Sequence, residues 1–118
     1  MRIAATLLLF VLCSGCAAVR EAESRGTQRA RLALQQASVG KLDKQGAYAR
    51  YGRASRVIQL PSGHTGWVYQ VNDTRFAERT YTLDFAPDGV LHDVFYTSPL
   101  GERISAREVQ GLEPWLSP

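Results

Sequence analysis

Thr80-Tyr81-Thr82-Leu83-Asp84-Phe85 alternates polar and apolar side chains at every step, and Ala86-Pro87-Asp88-Gly89 follows directly. Successive side chains of a strand point to opposite faces, so this run predicts a half-buried strand with Tyr81, Leu83 and Phe85 inward. Pro87-Asp88-Gly89 joins a residue with preset φ, a residue that bonds its own backbone and a residue free to take positive φ, which together make a hairpin turn. Val90 to Thr97 is then the returning strand. Its register stays open, because Leu91 and Phe95 compete with Val90, Val94 and Tyr96 for the core. Upstream, Trp67, Tyr69 and Val71 alternate with Val68, Gln70 and Asn72, and Ser55 to Leu60 is a short strand closed by Pro61. Ser62-Gly63-His64-Thr65-Gly66 between them reads as a turn-rich loop.

Helices flank this meander. Leu42 to Tyr51 predicts a short helix with Asp43 as N-cap and Gly52 just past its end. Leu42, Ala47, Tyr48 and Tyr51 fall near one face of it. Ala17 to Ala37 is rich in Ala, Arg, Glu and Gln and has no aromatic residue. Gly26 and Thr27 interrupt that stretch, which predicts a tether over 17–27 and a helix over 28–37. Ser105-Ala106-Arg107-Glu108 matches a capping box, so a short helix is expected over 105–112, with Trp115 pinning the tail. The resulting fold class is α+β, two short helices packed on a three- to four-stranded antiparallel sheet. Its domain is placed at residues 38–98, with a C-terminal tail at 99–118. A sheet this small needs its helical layer for independent stability.

The chain has 118 residues, 45% hydrophobic, 21% charged and 9% aromatic. These values suit one globular domain and exclude a fully disordered, collagen-like or coiled-coil protein. The formal charge is +3, and all the basic residues except Lys41 and Lys44 are arginine. That balance is too mild to establish a nucleic-acid partner. Two Cys and two His are too few for a closed structural zinc site beyond any other duty. No apolar run reaches the ~18 residues that span a bilayer.

Residues 1–16 carry an address. Arg2 is a short positive region, Ile3 to Leu12 an apolar run broken only by Thr6, and Ser14-Gly15-Cys16 a small-residue end. This is the three-part pattern of a secretory signal peptide. Cys13-Ser14-Gly15-Cys16 has redox spacing, but no βαβ pattern surrounds it. Leu12-Cys13-Ser14-Gly15-Cys16 instead resembles the bacterial lipobox, cleaved just before a diacylglyceryl-modified cysteine. The competing assignment is an ordinary secreted protein cut near Ala17 or Ala18. The resemblance implies a signal peptide over 1–15, acylation of Cys16, and a lipidated cysteine with its tether and helix over 16–37. Two or more acyl chains give stable anchoring where one does not. Ala17 follows the cysteine, in place of the Asp that holds many such lipoproteins in the inner membrane. The implied destination is the periplasmic face of the outer membrane.

Leu42-Asp43-Lys44-Gln45, Ala47 to Gly52, Trp67-Val68-Tyr69 and Thr82 to Leu91 together resemble the BamE (SmpA/OmlA) lipoprotein domain. The resemblance covers roughly residues 38–96. Lys41, Tyr51 and Ala54 stand where that family usually has Gly, Leu and Pro. It implies a BamE-like two-layer sandwich and a non-catalytic scaffold, accessory to the machine that assembles β-barrel outer-membrane proteins. The implied partners are subunits of that machine, with no cofactor and no nucleic acid. Two other functions were weighed: an envelope binding or inhibitor module that captures an enzyme or cell-wall fragment, and a component of a secretion or conjugation apparatus.

Candidate chemistry is sparse. His64 sits in a Gly-flanked loop, and Ser62, His64 and Asp73 can be written as a triad, but without a nucleophile elbow or oxyanion glycines. His92 and Asp93 are adjacent on a strand and so point apart. No P-loop, G-x-G-x-x-G or H-E-x-x-H occurs. Arg50, Arg53 and Arg56 cluster at the helix exit and first strand. They form either a surface for an acidic partner, anionic headgroups or peptidoglycan carboxylates, or a solvated basic patch. Trp67, Tyr69, Tyr81 and Phe85 read as core aromatics rather than an exposed stripe.

Overall fold

A computed structural model describes residues 25–74 and 77–115. The lipobox and the tether up to residue 24 lie outside them. The chain divides into two compact units, 1–30 and 31–118. Residues 25–35 are helical (α1), and Gly26 and Thr27 lie inside this helix rather than interrupting it. Neighbouring Arg, Gln and Ala are strong helix formers, and their summed preference offsets the penalty of about 1 kcal/mol for one glycine.

Within the second unit, α2 (Lys44–Tyr51) begins where Asp43 accepts a hydrogen bond from the Gly46 N–H at 2.7 Å. It ends where Gly52, at φ 77°, donates its N–H to the Tyr48 carbonyl. The strands β1 (Arg56–Gln59), β2 (Thr65–Thr74), β3 (Ala77–Phe85), β4 (Leu91–Thr97) and β5 (Arg103–Ser105) pair in chain order, all antiparallel. A final turn of helix, α3 (Ala106–Val109), starts at Ser105, whose side chain accepts from the Glu108 N–H. The sheet thus has five strands where three or four were expected. The extra strand comes from the tail: Arg103, Ile104 and Ser105 pair with Thr97, Tyr96 and Phe95. Three residues are too few to show alternation, so periodicity alone could not reveal them.

Register assigns the faces. Trp67 pairs with Leu83, Tyr69 with Tyr81, Leu83 with Val94 and Tyr81 with Tyr96, so these share one face. A bulge settles the competition in β4. Phe85 opposes Leu91 while Asp84 opposes Asp93, leaving His92 as the extra residue. Leu91 and Asp93 have the same parity, yet the bulge puts Leu91 with Val94 and Tyr96 and turns Asp93 and Phe95 to the opposite face.

The end of α1 and the exit of α2 lie over the first face. Leu34, Ala37 and Tyr51 border a cavity of about 330 Å³ whose floor is Tyr69, Val71, Tyr81, Leu83, Leu91 and Val94. The start of α2 is tied to the β3–β4 turn through Gly40 N–H to Leu91 O, Leu91 N–H to Leu42 O and Lys44 N–H to Gly89 O. Gln110 donates to the Leu34 and Ala37 carbonyls, satisfying the orphan C-terminal groups of α1. Phe85 is fully buried and stacks edge-on against Trp67 at 4.8 Å. Trp67, Tyr69 and Tyr81 lie on the inward face as expected but are only half-buried. Tyr48 and Tyr51, placed with Leu42 and Ala47 on the inner face of α2, are 58% and 53% exposed. The eight-residue α2 is too short to roof a sheet whose longest strand has ten residues, which leaves the aromatic floor half-covered.

Phe85→Ala should therefore cost about 3–5 kcal/mol, the usual range for emptying a core aromatic site. Trp67→Ala, half-buried, should cost less, about 1–3 kcal/mol. Chemical denaturation of both variants of the full chain checks the order. Equal losses would show that Trp67 is as deeply committed to the core as Phe85.

Candidate functional site

On the sheet face opposite α2 and the end of α1, two aspartates stand opposite each other. Asp84 of β3 and Asp93 of β4 are direct cross-strand partners, and both are essentially fully buried. Like charges in that arrangement repel and are costly to bury, so each needs compensation. Asp93 obtains it from the backbone and the tail. Its Oδ1 accepts from the Val94 N–H at 2.7 Å and the Arg107 N–H at 3.1 Å, and its Oδ2 accepts from the Ser105 hydroxyl at 2.7 Å. Asp84 has one partner: His64 Nδ1 donates to its Oδ1 at 2.8 Å, while Oδ2 is buried with no hydrogen bond.

The protonation of this cluster follows from that asymmetry. Burial pushes the Asp84 carboxyl above its ordinary range, against the hydrogen bond and charge of His64 and the charge of His92, with Asp93 adding to the rise. For His92, burial is the largest effect and lowers the pKa, with the Arg107 guanidinium next. Trp115 closes the arrangement. Its indole stacks on His64 at 4.0 Å and meets His92 edge-on at 5.2 Å, and the two imidazoles are 5.0 Å apart. Arg107 fastens this end of the chain by donating from Nε to the Glu113 carbonyl and from its guanidinium to the His92 carbonyl. The C-terminal tryptophan, expected to pin the tail, does so on the histidines.

This geometry replaces the pairings considered from the sequence. His64 binds Asp84, twenty residues away, and no hydrogen bond joins His92 to Asp93. Ser62, next in the written triad, holds φ 60° in the turn before His64. Asp84, Ser105 and Arg107 were not recognised as site residues. The available signal was Asp itself: aspartate is depleted in strands, and here two occupy strands flanking one turn. Among the described residues no group of three or more His, Cys, Asp or Glu is placed to hold a metal ion.

The arginines belong to a different place. Arg50 lies in the last turn of α2, Arg53 lies in the following loop and Arg56 opens β1; all three are exposed, and none pairs with a carboxylate among the described residues. They border the sheet edge, because among the described residues β1 has only β2 as a neighbour. Beside β1 on the helix-bearing face lies a second cavity of about 360 Å³, lined by Tyr48, Arg53, Ala54, Ser55, Arg56, Val57 and Trp67. Tyr69 donates its hydroxyl to the Gly52 carbonyl at 2.9 Å and meets Tyr51 edge-on, holding the α2–β1 corner. Burial and the neighbouring Tyr51 raise its pKa. Cys16, the expected lipidation residue, lies outside the described residues.

The cluster predicts a pH signature. Asp84, its folded-state pKa raised, penalises the fold increasingly as pH rises above the ordinary carboxylate value, because the unfolded chain releases the proton first. His92, its pKa lowered, penalises the fold as pH falls below the ordinary histidine value. Asp84→Asn keeps an acceptor for His64 and removes the buried charge. It should remove the loss of stability that sets in as pH rises above the ordinary carboxylate value and, by taking a negative charge away from His92, deepen the loss below the ordinary histidine value, as read by denaturant unfolding across pH. An unchanged loss above the carboxylate value would remove Asp84 as its source. Comparison of the chain with protein-family models, curated proteins and solved structures gives no match.

Proposed function

We propose that this chain is a lipid-anchored, non-catalytic protein–protein scaffold on the periplasmic face of the outer membrane, accessory to β-barrel outer-membrane protein assembly. The observation that carries the scaffold reading is the unneutralised arginine edge. Arg50, Arg53 and Arg56 are exposed around a strand with one open side, and no carboxylate of the described chain neutralises them. Exposed charge of one sign beside open backbone suits recognition of a partner better than chemistry on a small molecule. The α+β architecture supports the same reading, with helices leading into an antiparallel meander as the resemblance to the BamE family implies. So does the state of the titratable cluster. Its carboxylates are buried, and Trp115 stacks on the one histidine that could serve as a base.

A second reading, an envelope binding module, is favoured by one observation: the apolar cavity of about 330 Å³ between the helices and the sheet. It is large enough for an apolar side chain or part of an acyl chain.

Two measurements test the proposal. Cys16→Ser should abolish labelled-palmitate incorporation and release the protein from the membrane fraction, whereas Cys13→Ser should change neither; undiminished labelling of the Cys16 variant overturns the anchor. Affinity purification from detergent-solubilised envelopes should recover β-barrel assembly subunits with the wild-type chain. Their absence, with lipidation intact, favours the binding module.

A further inference from the structure

We infer that the free edge of β1 takes up an extended segment of a partner protein in which acidic and apolar residues alternate, adding it to the sheet as a sixth strand. This deepens the scaffold reading and rests on it for the kind of partner involved.

The backbone supplies the first argument. Gln59 pairs with Thr65, and the Leu60 N–H bonds the His64 carbonyl. In an antiparallel pair the residues directing N–H and C=O at their neighbour alternate with residues directing them away. Ile58 and Leu60 thus face β2, and Val57 and Gln59 turn their backbone groups outward, where no strand lies among the described residues. An outward row of donors and acceptors is a template for strand addition.

The side chains supply the second. The described apolar residues of the other strands are buried or half-buried, yet β1 leaves Val57 59% exposed. Val57 shares a face with Trp67, its cross-strand partner, and both line the cavity of about 360 Å³ beside the edge. Arg56, the next residue, points to the opposite face. An added strand would therefore meet Val57 and Trp67 in the cleft on one face and the Arg56 side of β1 on the other, while Arg53 and Arg56 both border the cleft. A segment of alternating apolar and acidic residues complements both at once. Charge complementarity selects a protein segment over a neutral one, and the period-two arrangement selects an extended chain over a helix.

The test uses the full chain in detergent and a fluorescent eight-residue peptide alternating Glu and Val, followed by anisotropy. A Lys-for-Glu version and a version N-methylated at alternate residues serve as comparisons. The Glu peptide should bind at least about ten-fold more tightly than either. Val57→Pro removes an outward N–H without breaking a bond to β2, so it should abolish binding while the melting temperature holds. Arg53→Glu with Arg56→Glu should reverse the charge preference. Equal binding of the N-methylated peptide, or undiminished binding to the Val57→Pro protein, overturns strand addition, as does failure of the Glu peptide to bind. Loss of association with phosphatidylglycerol vesicles in the arginine variants alone, with no peptide captured, would assign the arginines to the membrane surface and also overturn it. Peptide binding without recovery of assembly subunits leaves this inference standing and removes the barrel-assembly reading. Recovery of those subunits by the Val57→Pro protein does the reverse.

Discussion

Two carboxylates facing each other across β3 and β4 constrain most of what surrounds them. Buried like charges need either neutralisation or hydrogen bonds, and the chain meets the need from three directions. The loop before β2 brings His64 to Asp84; β5 brings Ser105 to Asp93; the first turn of α3 brings the Arg107 N–H to the same carboxylate. The tail then returns Trp115 onto His64. Elements far apart in sequence are thereby tied to one point of the sheet. Replacing Asp93 by an apolar residue would leave Ser105 and the Arg107 amide seeking partners, so its removal would loosen the tail before it loosened the sheet.

The same pair specifies register. A one-residue slip of a strand exchanges its faces. Slipping β4 against β3 would drive Asp93 into the apolar layer beneath the helices and send Val94 and Tyr96 to the polar side. Buried polar groups that are satisfied in one arrangement and orphaned in every other oppose such slips strongly. The bulge at His92 belongs to this logic. It lets Leu91 join the apolar layer while Asp93, two residues on, reaches the polar one. A regular strand would place both on the same face and leave one of them in the wrong environment.

What could be read in advance follows from how local each signal is. The alternation of residues 80–85, the Pro87-Asp88-Gly89 turn and the caps at Asp43 and Ser105 involve neighbours in sequence, and each appears in the structure. The register of β4 stays open in the sequence, because a bulge leaves no mark on hydrophobic period. The fifth strand escaped because Arg103-Ile104-Ser105 is too short to show alternation and takes its place through pairing with a strand distant from it in local pattern. The polar cluster escaped for the same reason: the His64–Asp84 bond spans twenty residues and depends on which strands lie side by side. The half-exposure of Trp67 and Tyr69 was also out of reach, since alternation assigns a face but the length of the covering helix decides its depth.

The two edges of the sheet are unequal for physical reasons. At one edge β5 has three residues, is held by the Ser105 hydroxyl and leads directly into α3, and Arg103 lies 4.1 Å above the Phe95 ring. Such an edge is short and covered, as edges in stable monomers usually are. At the other edge β1 is four residues long, almost wholly exposed, and flanked by a cleft and unpaired arginines. Positive charge on an edge discourages pairing with a second copy of the same positively charged strand. It permits pairing with an acidic strand. In the proposed strand addition, the arginines that disfavour self-pairing are the ones that would select a partner of opposite charge.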